Sequence, residues 1–281
     1  MAAPKHRPRY VAIRSRKYRT SRYAGQTRAY GNLRDHIRRT EELLGAGLTG
    51  LEGSVEKTDS VRRKLEGVKE LGRARPLDKP MVAVRRKDDG EPVGITVDAY
   101  SGRLMLEAVE AYVAWQKRLR FHLYSILLAA SWGAFETYIT SALDELYSRR
   151  PELLISNDTL TVRDVMDNRT DILAYLTQRQ LEKIGHMKIR DILEYLNSKT
   201  GFNLSEPTRK RLYEIYQLRN IIAHNSGVVR RKLSEQLPRQ VKQVKGELRI
   251  TKAYLCDIIT FLLRVAERLE RHFVNKYYRA A

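Results

Sequence analysis

The chain has 281 residues, of which 42% are hydrophobic and 31% charged, and it carries a formal net charge of +20 at pH 7. This hydrophobic content excludes a wholly disordered chain, and the length allows either two small domains or one domain with an arm. So large a positive excess favours a polyanionic partner, either nucleic acid or an anionic membrane surface.

Cysteine count and apolar patterning indicate a cytoplasmic protein with no membrane segment. Cys256 is the only cysteine, which excludes an intramolecular disulfide and fits a reducing compartment. The basic N-terminus has no apolar segment after it, so it does not resemble a secretory signal. The most apolar run, Leu123–Phe135, is shorter than the roughly 20 residues needed to span a bilayer.

Residues 1–30 are predicted to form a flexible basic arm. Residues 1–39 contain twelve lysines and arginines against one acid, Asp35, a net +11. Cations bind phosphates and tyrosine rings stack on unpaired bases, so we expect this segment to contact nucleic acid. The alternative is a solvated arm that aids solubility. The predicted nucleic-acid-binding residues are Arg7, Arg9, Arg14, Arg16, Lys17, Arg19, Arg22, Tyr18 and Tyr23.

Residues 31–101 are predicted to form small accessory elements. Helices over 31–45 and 54–72 would form a helical hairpin around a turn at Gly45-Ala46-Gly47. The segments 81–84 and 93–97 flank an Asp-Gly turn at residues 89–90 and predict a β-hairpin.

Residues 102–281 are predicted to form a helical domain, so the expected fold class is all-α. One long helix or two joined helices are predicted from Leu104 to about Tyr147. Helices over 171–187 and 189–197 follow, with Gly201 as a stop signal, then a helix from near Pro207 to about His224. The final helix begins near Thr251 and has an apolar stripe at helical spacing.

The helix ending at His224 carries the residues most suited to chemistry. With about 100° per residue, its apolar side chains span one broad arc, and Arg219 falls in the middle of it. The apolar residues of this arc are Leu212, Ile215, Tyr216, Leu218, Ile222 and Ala223. An arginine on a buried face needs an anionic partner, either a carboxylate or a phosphate from outside.

Asn220 and His224 are four residues apart and therefore share a helix face. Histidine titrates near neutral pH and can transfer protons, while an adjacent arginine binds a phosphate and its developing charge. With no metal-ligand cluster nearby, this set favours metal-free RNA cleavage by the ribose 2′-hydroxyl. The alternative is a histidine at a helix C-terminus beside a structural ion pair.

The segment Arg219–His224 resembles the motif of the HEPN superfamily: an arginine, a polar residue, three or more further residues and a histidine, near the end of a core helix. A long helix at 123–147 before the motif and an amphipathic helix at 251–277 after it extend the resemblance over roughly 102–281. The resemblance implies an all-α HEPN-like helical bundle and a homodimer in which two motif helices form one composite cleft.

The resemblance also implies a metal-independent endoribonuclease, often a toxin or an effector of antiviral defence. Arg219 and His224 would be catalytic, Asn220 would support them, and Glu136 is the best match for a further residue from the preceding helix. Glu136 is alternatively an exposed helix carboxylate. An inhibitor, antitoxin or trigger protein is expected as a partner, since an unrestrained ribonuclease harms its cell.

Two other functions fit the same sequence. One is a non-catalytic module that binds nucleic acid, nucleotide or a second copy, and the other is a regulator whose arm binds DNA or RNA. No phosphate-binding loop, dinucleotide fingerprint or metal-binding histidine pair occurs, so no cofactor and no metal are predicted. Trp115 and Trp132 are predicted to be core residues.

Overall fold

The computed structural model describes residues 27–74, 81–85, 92–96, 99–154, 160–168, 171–225, 241–244 and 247–278. The described α-helices are α1 (Arg28–Ala74), α2 (Ala99–Arg149), α3 (Val162–Asp167), α4 (Ile172–Gly185), α5 (Ile189–Thr200), α6 (Glu206–Asn225) and α7 (Lys252–Phe273). A short 3₁₀ turn spans Pro151–Leu154 and a π-helical turn spans Val274–Tyr278.

Two antiparallel hairpins accompany the helices among the described residues: β1 (Met81–Arg85) with β2 (Pro92–Thr96), and β3 (Lys242–Val244) with β4 (Glu247–Arg249). The predicted all-α class is confirmed, because within the described ranges no sheet is larger than two strands. None of the described helices is both long and apolar enough to cross a bilayer.

The chain divides into two compact units. Of the described residues, one unit contains 27–43 and those from Tyr124 onward, and the other contains those within Leu44–Leu123. The boundaries between the units fall within α1 and α2, so each of these helices has one part in each unit. The division at 1–30, 31–101 and 102–281 stays a prediction.

In the unit Leu44–Leu123, α1 and α2 run antiparallel, with Gly47 beside Leu123 and Ser54 beside Gln116. The predicted pair of helices at 31–45 and 54–72 is wrong, because α1 is continuous from Arg28 to Ala74. A Cβ at Gly47 would lie 2.9 Å from Cδ2 of Leu123. This glycine therefore allows a close approach between two helices instead of ending one.

The predicted β-hairpin between these helices is confirmed. β1 and β2 pair antiparallel, with Met81 opposite Thr96 and Arg85 opposite Pro92. The Asp-Gly turn predicted at 89–90 lies outside the described residues.

The core of the other unit is formed mainly by α2, α6 and α7. Trp132 is fully buried, as predicted for a core residue. The predicted apolar stripe of α7 is confirmed: its buried residues include Leu255, Ile258, Ile259, Leu262, Ala266 and Leu269. Thr251 caps this helix, since its side chain accepts a hydrogen bond from the Tyr254 amide. The stop signal at Gly201 is also confirmed, because α5 ends there with a left-handed backbone at φ 73°.

Two carboxylates hold the first turn of α1. The Thr27 amide and hydroxyl donate to Glu270 at 2.6 and 2.8 Å, and the Arg28 and Ala29 amides donate to Glu145 at 3.3 and 2.7 Å. A helix N-terminus presents unpaired amides and a partial positive charge, so both carboxylates satisfy it. Burial raises the pKa of Glu270 above its ordinary value, against the opposing effect of the Thr27 hydrogen bonds.

Candidate active site on α6

Helix α6 lies between α2 and α7, and this position determines which of its faces is buried. The Trp132 ring of α2 lies 5.8 Å from the Tyr216 ring, and the Arg211 guanidinium lies 4.3 Å from the centre of the Phe261 ring of α7. The buried side chains of α6 are Leu212, Ile215, Leu218 and Ile221.

Arg219 lies at the edge of this buried face. The prediction that it occupies the middle of the apolar arc is wrong, because Ile221 is buried and Ala223 is exposed. The buried arc of α6 is rotated towards α7. The Arg219 side chain is 30% exposed. The side chain is therefore partly buried and still reaches the protein surface.

A carboxylate pairs with the partly buried Arg219, as its predicted position on an apolar arc required. The Arg219 Nη2 atom donates to Oε2 of Glu136 at 3.2 Å, and Nη1 donates to Oδ1 of Asn220 at 3.0 Å. Glu136 is itself 31% exposed. The structure thus brings together three of the four predicted catalytic residues, two from α6 and one from α2.

Packing of aromatic rings fixes the α2–α6 contact beneath this cluster. The fully buried Trp132 lies one turn before Glu136, with its ring 5.7 Å from Phe135 and 5.8 Å from Tyr216. Rigid rings hold the two backbones at a fixed separation. The Arg219–Glu136 distance therefore follows from core packing as well as from attraction between the charges.

His224 is exposed in the last turn of α6 and makes no hydrogen bond to another described residue. It follows Asn220 by one turn on the same face. It lies five positions after Arg219, which places the two side chains about 140° apart around the helix. One copy of α6 therefore does not bring His224 and Arg219 onto one face.

A polar stripe on the exposed side of α6 leads to His224. Its members recur every three or four residues and share one face: Lys210, Tyr213, Gln217, Asn220 and His224. The stripe borders a groove of about 300 Å³ between α5 and α6, which Arg190, Arg209, Lys210 and Tyr213 line together with Glu194 and Glu206. The Arg190 guanidinium lies 5.2 Å from the Tyr213 ring centre.

Sequence reasoning missed this stripe and groove. The signal was available, because the spacing from Lys210 to His224 is helical and α6 was predicted. The pairing of Arg190 with Tyr213 depends on the angle between α5 and α6, which the sequence does not give.

Arg7, Arg9, Arg14, Arg16, Lys17, Arg19, Arg22, Tyr18 and Tyr23 lie outside the described residues. A larger cavity of about 760 Å³ between the end of α2 and α4 contains none of the predicted site residues, and Asp144, Asp171 and Glu182 line it. Over the described ranges, no three histidines, cysteines or acids lie together as a metal site would require.

Comparison of the chain with protein-family models, with curated proteins and with solved structures finds no match. The class that the structure establishes is thus an all-α protein with a cluster of Glu136, Arg219 and Asn220 beside an exposed histidine.

Proposed function

We propose that the protein is a metal-independent endoribonuclease of the HEPN type, acting as a toxin or defence effector under the control of an inhibitor, antitoxin or trigger. The observation that carries this proposal is the Glu136–Arg219–Asn220 cluster, which holds a partly exposed arginine beside Asn220, one turn before His224. The net charge of +20 agrees with a polyanionic substrate.

Arg219 retains donors for a phosphate. A guanidinium has five N–H groups in a planar fork, and only one bond to Glu136 and one to Asn220 are made within the described residues. The remaining donors would bind two oxygens of the scissile phosphate and stabilise the charge that develops on them. Glu136 and Asn220 act as positioning residues in this role, since they fix the plane of the fork.

The reaction follows from the side chains present. His224 in its neutral form takes the proton of a ribose 2′-hydroxyl, and the oxygen attacks the adjacent phosphorus. The bond from phosphorus to the 5′-oxygen of the next nucleotide breaks, and that oxygen takes a proton from a protonated histidine. The products are a 2′,3′-cyclic phosphate and a 5′-hydroxyl, and the reaction consumes no water and needs no redox partner.

A composite site in a homodimer accounts for the angular separation of His224 and Arg219. If the α6 helices of two copies faced each other across the substrate, the arginine of one copy and the histidine of the other would approach the same phosphate. Each copy would also supply a proton donor or acceptor, so that one histidine accepts while the second donates.

The polar stripe of α6 would guide the RNA strand to this site. From Lys210 to His224 the stripe extends about 21 Å along the helix axis, at 1.5 Å per residue. Lys210 and Arg190 would hold phosphates, and Tyr213 offers a ring on which a base stacks.

A second candidate function is a non-catalytic module that binds nucleic acid or a second copy. The Arg219–Glu136 contact favours it, because a carboxylate already satisfies part of the arginine. Under this second function the ion pair is structural and His224 is a surface residue at a helix end.

Cleavage of total RNA in the presence of EDTA separates the two functions. We expect wild-type protein to produce fragments with 5′-hydroxyl and cyclic-phosphate ends, and the Arg219→Ala and His224→Ala variants to lose at least about a hundredfold in rate. His186→Ala is the matched control, since His186 is also an exposed histidine at a helix C-terminus. RNA that is bound but uncut by all four proteins favours the module, and equal cutting by His224→Ala rejects the assigned site.

A further inference from the structure

One face of α2 in the unit Leu44–Leu123 is exposed along five turns, although apolar residues form its centre. Trp115 is 53% exposed, so the prediction that it is a core residue is wrong. The residues of this face, which we call the outer face of α2, are Leu104, Glu107, Ala108, Ala111, Ala114, Trp115, Arg118 and His122. Val113 and Gln116, on the opposite side of the helix, are buried.

Neighbouring side chains hold the exposed aromatic pair in place. The Tyr112 ring stacks on Trp115 with 5.6 Å between centroids and 27° between planes. The Tyr112 hydroxyl lies 3.4 Å from the Ser54 hydroxyl, which also accepts a hydrogen bond from Gln116 at 2.6 Å. Stacking on Tyr112 restricts the rotamers open to Trp115, which lowers the entropy cost of binding.

The charges on the outer face are arranged so that the face complements itself. Glu107 lies near one end and Arg118 near the other, with alanines between them, and neither charge forms an ion pair with another described residue. A surface with an acid at one end and a base at the other matches a second copy in the antiparallel direction. We propose that the outer face of α2 is a twofold interface with the same face of a second copy of this chain.

One register satisfies both the charges and the shapes. If Ala111 lies opposite Ala114 of the second copy, Glu107 lies opposite Arg118 of that copy, and the twofold axis repeats both contacts. The same register places Trp115 at the level of Glu110 of the second copy, so that its ring lies beside Ala111 on the shared face. Small residues at the centre allow the helices to approach closely, and the large ring closes the edge.

Charge also argues for a protein partner on this face over RNA. Phosphates would meet Glu107 and the neighbouring exposed Glu110, and carboxylates repel them. The interface is separate from the composite cleft on α6, and it stands whether or not the protein cleaves RNA.

Sedimentation equilibrium over a range of concentrations tests the association. Trp115→Ala should weaken it by at least about tenfold, as expected for the largest aromatic anchor of an interface. Leu173→Ala is the matched control, since Leu173 is a large apolar residue on α4 that is 49% exposed, and we expect less than about a twofold change from it. Equal self-association of wild type and Trp115→Ala would overturn the proposal.

Charge reversal tests the register and separates it from an α6 dimer. Glu107→Arg and Arg118→Glu should each weaken self-association, and the doubly exchanged variant should restore it. Trp115 emission in wild type should shift to the blue as concentration rises, because the other tryptophan, Trp132, is already fully buried. A dimer that leaves this emission unchanged, or a monomer in which RNA quenches it, would overturn the proposal.

Discussion

Replacing Arg219 and Glu136 singly and together measures the contribution of their ion pair to stability. The Nη2–Oε2 distance is 3.2 Å and about 30% of each side chain is exposed. At this distance the attraction is about 5 kcal/mol for an effective dielectric constant of about 20. Desolvation and the loss of rotamer freedom offset most of it, so we expect a coupling energy of about 1 kcal/mol.

The assay is urea unfolding of wild type, Arg219→Met, Glu136→Gln and the double variant, at low salt and at about 1 M salt. Because salt screens partly exposed charges, the coupling energy should fall at the higher salt concentration. The Arg163–Asp167 pair is the control: its side chains are 89% and 66% exposed, so it should couple more weakly. A coupling energy of zero within error between Arg219 and Glu136 would refute the reasoning.

Four further substitutions, in three tests, probe the fold by denaturant unfolding. Burial raises the pKa of Glu270 above 4.5 in the folded state. As pH rises from 4.5 through that raised pKa, the folded chain holds more protons than the unfolded chain, so the free energy of unfolding falls. Glu270→Gln should reduce this dependence on pH, and an unchanged dependence would contradict the assignment to Glu270. Gly201→Ala should destabilise by about 1–2 kcal/mol, because φ is 73° there; no loss would argue against the left-handed turn. Gly45→Ala should stabilise the folded protein by about 0.5–1 kcal/mol. Gly47→Ala should stabilise it by less, because the new Cβ meets Leu123. A larger gain from Gly47→Ala than from Gly45→Ala would contradict the close contact between α1 and α2 at Gly47.

Local sequence signals predicted the elements whose boundaries depend on local chemistry. Thr251 at the start of α7 and Gly201 at the end of α5 follow from capping and left-handed backbone preferences, and the strands of the β1–β2 hairpin follow from the apolar runs at 81–84 and 93–97. The apolar stripe of α7 was found because the whole of that face packs against other helices.

Elements that depend on tertiary contacts were not predicted correctly. Gly47 was assigned to a turn because glycine often ends a helix. Its contact with Leu123, 76 residues away in sequence, is not visible in the local pattern. The arc of α6 was placed too far towards Ala223, because apolar spacing alone does not show that α6 lies between α2 and α7. Trp115 was assigned to the core on its size and apolar character, but the sequence does not show which side of α2 faces α1.

For the site, the sequence supplied the residues and the structure supplied their distances. The requirement for an anionic partner of Arg219 came from its position on an apolar arc, and Glu136 at 3.2 Å meets it. The catalytic roles of Arg219, Asn220, His224 and Glu136 stay predictions, since they came from the resemblance and from side-chain chemistry.

The most direct measurement compares cleavage of one labelled RNA and of the DNA of the same sequence by wild type and His224→Ala, all in EDTA. We predict that only wild type cuts, that it cuts only the RNA, and that the products end in a cyclic phosphate. Cleavage of the DNA would show that the 2′-hydroxyl is not the nucleophile. Equal cleavage of the RNA by His224→Ala would contradict the assignment of the active site.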